Sequence, residues 1–195
     1  ALLTLPPNAD GAKIQGFEVA FISFFDFLPE PLSGFGVQAN YTFVKNKGIS
    51  NTGLGPPNSP TNTNAGNAGT SLNPGVLEGV SKHAFNLVGM YEKGPISARL
   101  AYNWRSKYLV TAVDCCVYLP VWQRASGFLD GSIRYRFGEA LELSLEGSNL
   151  LNTKTVLQQQ VTDFDSPEGR IVLTPNGWFQ NDRRFIVGLR WKMGR

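Results

Sequence analysis

The sequence predicts an all-β protein: an antiparallel up-and-down meander of about seven strands, forming an open segment of a transmembrane β-barrel. Three observations carry this expectation. Apolar and polar residues alternate with a period of two in run after run, as in strands with two unlike faces. The connections between the runs alternate as well, short at 29–33, 93–95 and 138–140, long at 44–80, 110–126 and 153–178. Finally, only 17% of the 195 residues are charged while 12% are aromatic, against about 25% charged residues in a typical soluble domain. Mean hydropathy is nevertheless −0.14, and no stretch approaches the roughly 20 apolar residues of a membrane helix. A barrel reconciles the two, because alternation hides its apolar face from any average.

The last run shows the pattern most plainly. Phe185, Val187, Leu189, Trp191 and Met193 alternate with Ile186, Gly188, Arg190 and Lys192. Earlier in the chain, 1–12 reads as a loop, and 13–28 as a long strand with Phe17, Val19, Phe21 and Phe25 on one face. Two prolines in 29–33 cannot continue a ladder and mark a turn. Phe35, Val37, Ala39, Tyr41 and Phe43 follow on one face against Gly36, Gln38, Asn40 and Thr42. The segment 45–78 is rich in Asn, Gly, Thr and Pro and reads as a long hairpin connection.

Phe85, Leu87, Gly89 and Tyr91 then share a face, as do Ile96, Ala98, Leu100, Tyr102 and Trp104 after the turn at 93–95. Leu129, Gly131, Ile133, Tyr135 and Phe137 form the next apolar face, and Leu141, Leu143, Leu145 and Gly147 the one after it. Each run is near or above the about 9–11 residues that a tilted membrane strand needs. Aromatic residues gather near run ends, as interfacial girdles do. On this reading the long loops lie together at one end, and Phe85, Leu87, Leu100, Tyr102, Ile133, Leu143, Leu145, Val187 and Leu189 share the convex, lipid-facing side.

Several function classes are excluded or weakened. The net charge of +3 is small and scattered, so nucleic acid is not an expected partner. His83 is the sole histidine, which rules out a histidine-based metal cluster or a catalytic triad built within this chain. The glycines of 34–36 precede no helix, so a phosphate-loop reading fails. No enzyme activity and no cofactor are expected. Cys115 and Cys116 are adjacent in the second long loop. Outside the cytoplasm the leading expectation for them is a vicinal disulfide; a bond to a cysteine elsewhere in the protein, or metal or redox chemistry, is the alternative.

The tight turn at 138–140 sets Phe137 and Leu141 on one side. Arg136 then stands opposite Glu142, Arg134 opposite Ser144 and Ser132 opposite Glu146, with Arg134 diagonal to Glu142 and Glu146. Arg184, Arg190 and Lys192 add to the same face. The expectation is a ladder of alternating charge lining the lumen. Tyr108, Trp122 and Trp178 border the long loops, where they could stack on a ligand or simply anchor the loop rim.

A set of short motifs adds a family resemblance. Gly16-Phe17-Glu18 leading to Leu28-Pro29, Gly34-Phe35-Gly36, Asn40-Tyr41-Thr42, Tyr102-Asn103-Trp104-Arg105, Gly147-Ser148-Asn149-Leu150-Leu151-Asn152 and Asn181-Asp182-Arg183-Arg184 occur in order along almost the whole chain. Together they resemble the barrel of TonB-dependent outer-membrane receptors. That family's fold is a 22-stranded barrel closed around an N-terminal plug. The resemblance implies that 1–195 is the C-terminal third of such a barrel, without the plug or the segment that contacts TonB. It implies active uptake of a siderophore, a carbohydrate or a similar large nutrient across the bacterial outer membrane, with the long loops extracellular. Expected partners are outer-membrane lipid, the missing N-terminal strands and plug, the TonB complex reached through that plug, and a nutrient of unknown identity. The family usually ends on an aromatic residue, whereas this chain ends Lys192-Met193-Gly194-Arg195. A passive porin and a soluble carbohydrate-binding β-sandwich are the alternatives; a sandwich would place long loops at both ends and bury the apolar face against a second sheet.

Overall fold

The computed structural model describes residues 12–49, 51, 74–117, 119–162 and 170–193. The loop expected over 1–12, the centre of the first long connection, part of the third and the last two residues lie wholly or mostly outside these. Seven strands form one antiparallel sheet: β1 (Lys13–Phe24), β2 (Phe35–Lys47), β3 (His83–Lys93), β4 (Ile96–Arg105), β7 (Ser126–Phe137), β8 (Leu141–Ser148) and β11 (Arg184–Trp191), paired in that order. This is the meander that the alternation predicts. Because each strand reverses on the last, the connections following β2, β4 and β8 leave from one end of the sheet. The short turns lie at the other end.

The long connections differ from expectation in one respect. The segments 110–126 and 153–178 read as loops, yet each holds paired strands among its described residues, short ones in the first and long ones in the second. β5 (Tyr108–Thr111), β6 (Val121–Gln123), β9 (Lys154–Thr162) and β10 (Ile171–Gln180) form a second, four-stranded sheet in the order β10-β9-β6-β5. β5 and β6 prolong β4 and β7, and β9 and β10 prolong β8 and β11. The second sheet therefore extends the same strands beyond a break, and it is not a layer packed on the first.

Register fixes the faces of the large sheet. Phe17 pairs with Phe43, Phe43 with His83, Tyr41 with Phe85, Phe85 with Trp104, Leu87 with Tyr102, and Gly89 with Leu100. Leu100 pairs with Gly131, Ile133 with Leu145, Leu145 with Val187, and Leu143 with Leu189. Cross-strand partners point to the same side, so these residues share one face. That face is bare: Val187 is 72% exposed, Leu189 70% and Leu100 50%. Among the described residues no second sheet covers it, which removes the sandwich. An uncovered apolar face of this extent is unstable in water and is the face a barrel turns toward lipid.

The face is zoned along the strands. Toward the long connections lie Phe17, Tyr41, Phe43, Phe85, Tyr102 and Trp104, with Phe85 and Trp104 stacked at 5.3 Å and the tilted rings of Phe17 and Phe43 5.5 Å apart. Toward the short turns, Phe35 meets Tyr91 at 4.8 Å, and Tyr135 meets Phe137 at 4.6 Å. Aliphatic residues fill the space between. Two aromatic bands around an aliphatic zone are the girdles of a membrane barrel.

Candidate functional site

The candidate functional surfaces are the opposite, polar face of the large sheet and the second sheet beyond its end. Both depend on a joint built by the segment 147–153. Asn149 and Asn152 adopt φ values of 52° and 54°, a left-handed conformation that Asn tolerates better than most residues. The Asn149 backbone N–H donates to Asp130 Oδ1 at 2.8 Å, and its side-chain Nδ2 donates to the carbonyls of Thr153 and Asn181. Asn149 Oδ1 accepts from the Thr153 N–H at 2.9 Å, and Thr153 Oγ1 donates to the Gly127 carbonyl at 2.6 Å. The buried Asn149 side chain thus ties the β8–β9 break to the β10–β11 break, while its backbone N–H and the Thr153 hydroxyl tie both to β7. Leu150 folds back over the sheet, where a Cβ on Gly147 would lie 2.7 Å from its Cδ2, so glycine at 147 lets Leu150 pack closely on β8. The motif is visible in the sequence, but its role as a joint is not, because the left-handed Asn is a matter of backbone geometry.

On the polar face the register is as expected: Arg136 opposite Glu142, Arg134 opposite Ser144 and Ser132 opposite Glu146. Arg190 stands across Glu142 on its other side, Ile186 across Glu146, and Arg184 across Ser148. Glu142 is therefore flanked by two arginines. The expected ladder of paired charges is a different matter. Among the described residues, Arg134, Arg136, Glu142, Glu146, Arg184, Arg190 and Lys192 form no ion pair within 4 Å; a pair does form between Lys93 and Glu30, at 2.6 Å. Register fixes Cα partners but not rotamers. Long exposed side chains keep their rotamer entropy where the Coulomb gain is small. At the short-turn end Arg136, Glu142, Arg190 and Lys192 line an open cleft of about 620 Å³ with Glu139.

The second sheet holds the rim aromatics, and it treats them differently. The Arg105 guanidinium lies over the Tyr108 ring at 3.7 Å, and the Tyr108 hydroxyl donates to Gln123 Oε1 at 2.6 Å. Gln123 Nε2 in turn donates to Ser126 Oγ at 3.4 Å. Lys107 lies over the Trp122 ring at 5.2 Å, and Trp122 Nε1 donates to Gln160 Oε1 at 2.7 Å. Tyr108 pairs with Gln123, whereas Trp122 pairs with Leu109 on the other face. Trp178, opposite Val156 on β10, is 70% exposed. The polar atoms of Tyr108 and Trp122 are thus already engaged within the sheet, and Trp178 is the open ring of the three.

The end of the first long connection joins this assembly. Glu78 bridges Leu109, Gly79 N–H donates to the Leu109 carbonyl at 2.8 Å, and Glu78 Oε1 accepts from the Ala112 N–H at 2.5 Å. Arg105 reaches back, with Nε donating to Ser81 Oγ at 2.7 Å and Nη2 to the Gly79 carbonyl at 2.6 Å. Leu109 is fully buried as a result. Cys115 and Cys116 sit in the exposed turn beyond β5 as free thiols, where the sequence favours a bond between them. A hydrogen bond that the Cys116 thiol donates to Cys115, reinforced by the charge of Cys115 and that of Asp114, raises the Cys116 thiol above its ordinary range.

Comparison with known proteins returns one fold. The family described as TonB dependent receptor-like, beta-barrel, matches residues 3–150. The siderophore receptor PiuA from Acinetobacter baumannii is similar over 92% of this chain, with 14% identity and a TM-score of 0.56. The ferric citrate transporter FecA in its unliganded form is similar over 92% of it, with 14% identity and a TM-score of 0.54. The chain spans only 22% of the first and 24% of the second. No curated protein matches the sequence.

Proposed function

Because the chain belongs to the TonB-dependent receptor β-barrel family, we propose that it forms the C-terminal wall of an outer-membrane receptor that takes up a siderophore, a carbohydrate or a similar large nutrient. The observation that carries this reading is the division of one sheet into an uncovered apolar face with two aromatic bands and a polar face, with all long connections at one end. On this reading the apolar face meets lipid and the long connections are extracellular. The polar face, with Arg134, Arg136, Glu142, Glu146, Arg184, Arg190 and Lys192, lines the lumen beside the plug, which transmits energy from TonB. Among the rim residues, Trp178 meets the ligand directly, while Tyr108 and Trp122 hold the rim that frames it. Both solved neighbours are named for iron-chelate uptake, which supports a chelate among the nutrient classes.

The test uses cells that carry the whole receptor, offered a panel of ferric siderophores and oligosaccharides. Uptake of one member should depend on the receptor and vanish when TonB is inactivated. Uptake that persists without TonB would make the protein a passive pore. Topology is tested separately: a membrane-impermeant maleimide applied to intact cells with a mild reductant should label Cys115 or Cys116. Labelling only after the outer membrane is opened would place the long connections inside.

A further inference from the structure

We propose that Lys13, Lys45 and Lys47 form a site on the lipid-facing side for the phosphate groups of an anionic lipid of the outer leaflet, one whose head group carries more than one phosphate. The proposal rests on the extracellular placement of the long connections. Register puts Lys13 directly opposite Lys47 and Gln15 opposite Lys45, on the same face as Phe17 and Phe43. Like charges directly opposed in a sheet are destabilising, and all three lysines are exposed. The residues of β1, β2 and β3 on this face include no Asp or Glu, so no carboxylate there offsets the charge. A fourth cation, Lys82, is held beside the cluster, its Nζ 5.8 Å from the Phe43 ring centre.

Depth selects the partner. Lys45 and Lys47 stand two and four residues beyond Phe43, about 7 and 13 Å farther along the strand at ~3.3 Å per residue. The aromatic band marks the membrane interface, so the ammonium groups lie at the level of lipid head groups while their alkyl stems lie along the band. Below them the same face continues as Val19, Phe21, Ala39 and Leu87, a surface suited to acyl chains. A phosphorylated lipid matches both zones at once. A free anion would match only the charges, which water and salt screen.

The experiment is native mass spectrometry of the whole receptor in detergent, titrated with bis-phosphorylated lipid A. The wild-type receptor should bind it, and the triple variant Lys13→Gln/Lys45→Gln/Lys47→Gln should bind about a hundredfold more weakly, since each cation near the head groups adds to the attraction. The matching triple replacement by Arg should retain binding, which separates lost charge from a damaged barrel. Lys154→Gln, an exposed position on β9, should change nothing. Lipid A stripped of both phosphates should bind the wild type no better than the intact lipid binds the Gln variant, and equimolar inorganic phosphate should not compete. Equal binding by the Gln triple variant, an equal loss in Lys154→Gln, undiminished binding of the stripped lipid, or competition by phosphate would each overturn the site. Because this readout requires neither TonB nor a nutrient, its failure would leave the uptake reading standing, and loss of TonB dependence would leave the lipid site standing.

Discussion

The second sheet prolongs four of the seven strands of the large sheet, yet the two are stabilised in different ways. In the large sheet the ladders from β1 to β11 run without a bulge, and Val88 is its one buried apolar side chain among the described residues. In the smaller sheet β5 and β10 carry irregularities, between Leu109 and Thr111 and between Pro175 and Gly177. There Leu109, Ala112 and Val121 are buried in and around it, and side-chain hydrogen bonds link Tyr108, Gln123, Trp122 and Gln160. The difference teaches where each sheet finds its apolar partner. The barrel sheet leaves that role to lipid and needs only regular pairing. The outer sheet stands in water and has to assemble a small core and a polar network of its own.

Substitutions that exchange the two environments should break the comparison most visibly. Leu145→Arg, in mid-sheet on the bare face, should destabilise the whole receptor in vesicles by about 2–4 kcal/mol. Ile171→Arg, at an exposed position in the outer sheet, should stay within about 0.5 kcal/mol. Urea unfolding of the reconstituted receptor distinguishes them, and equal costs would mean that the apolar face does not meet lipid. Leu109→Ala should act in the opposite sense. It empties the outer sheet's core at a local cost of about 2–5 kcal/mol, seen as faster hydrogen exchange in β5, β6 and β9, while the amides of β3 and β4 stay protected. Asn149→Ala removes the joint between the sheets and leaves buried groups without partners, at about 1–3 kcal/mol. Faster exchange should then spread over the start of β9 and the end of β10, and a change confined to residue 149 would deny it the role of joint.

Smaller effects sharpen the picture at the rim. Tyr108→Phe removes the hydroxyl that donates to Gln123 but keeps the ring under Arg105, so it should cost about 0.5–1.5 kcal/mol. Nutrient uptake should be more sensitive to Trp178→Ala, the open ring, than to Tyr108→Phe. Cys115→Ala removes the main cause of the raised Cys116 thiol. More Cys116 is then thiolate at neutral pH, and its maleimide labelling at pH 7 should be faster than in the wild-type receptor. Unchanged labelling would mean that Cys115 does not hold the Cys116 proton.

The contrast also explains what could be read in advance. Strands whose two faces meet different solvents announce themselves by alternation, as Leu141, Leu143 and Leu145 do against Glu142, Ser144 and Glu146. The register from Phe137 and Leu141 to Arg136 and Glu142 followed from that alternation and a tight turn. The outer strands lacked the signal: Gln158, Gln159 and Gln160 are consecutive in β9, β6 has three residues, and Pro175 interrupts β10 beside a bulge. Their pairing depends on contacts between hairpins far apart in sequence, such as Val121 with Gln159. The ladder's charges illustrate the remaining limit, since register placed Arg136 across Glu142 but could not place the ends of two flexible side chains.

If one sheet has a lipid face and an aqueous face, β8 must alternate between the two solvents residue by residue. Spin labels placed one at a time at positions 142 to 146 of the whole receptor, with Cys115 and Cys116 replaced by Ser, can be read in vesicles for collision with oxygen and with a water-soluble nickel chelate. Oxygen accessibility should peak at 143 and 145, and chelate accessibility at 142, 144 and 146. Reversed phase, or chelate access at every position, would contradict the account.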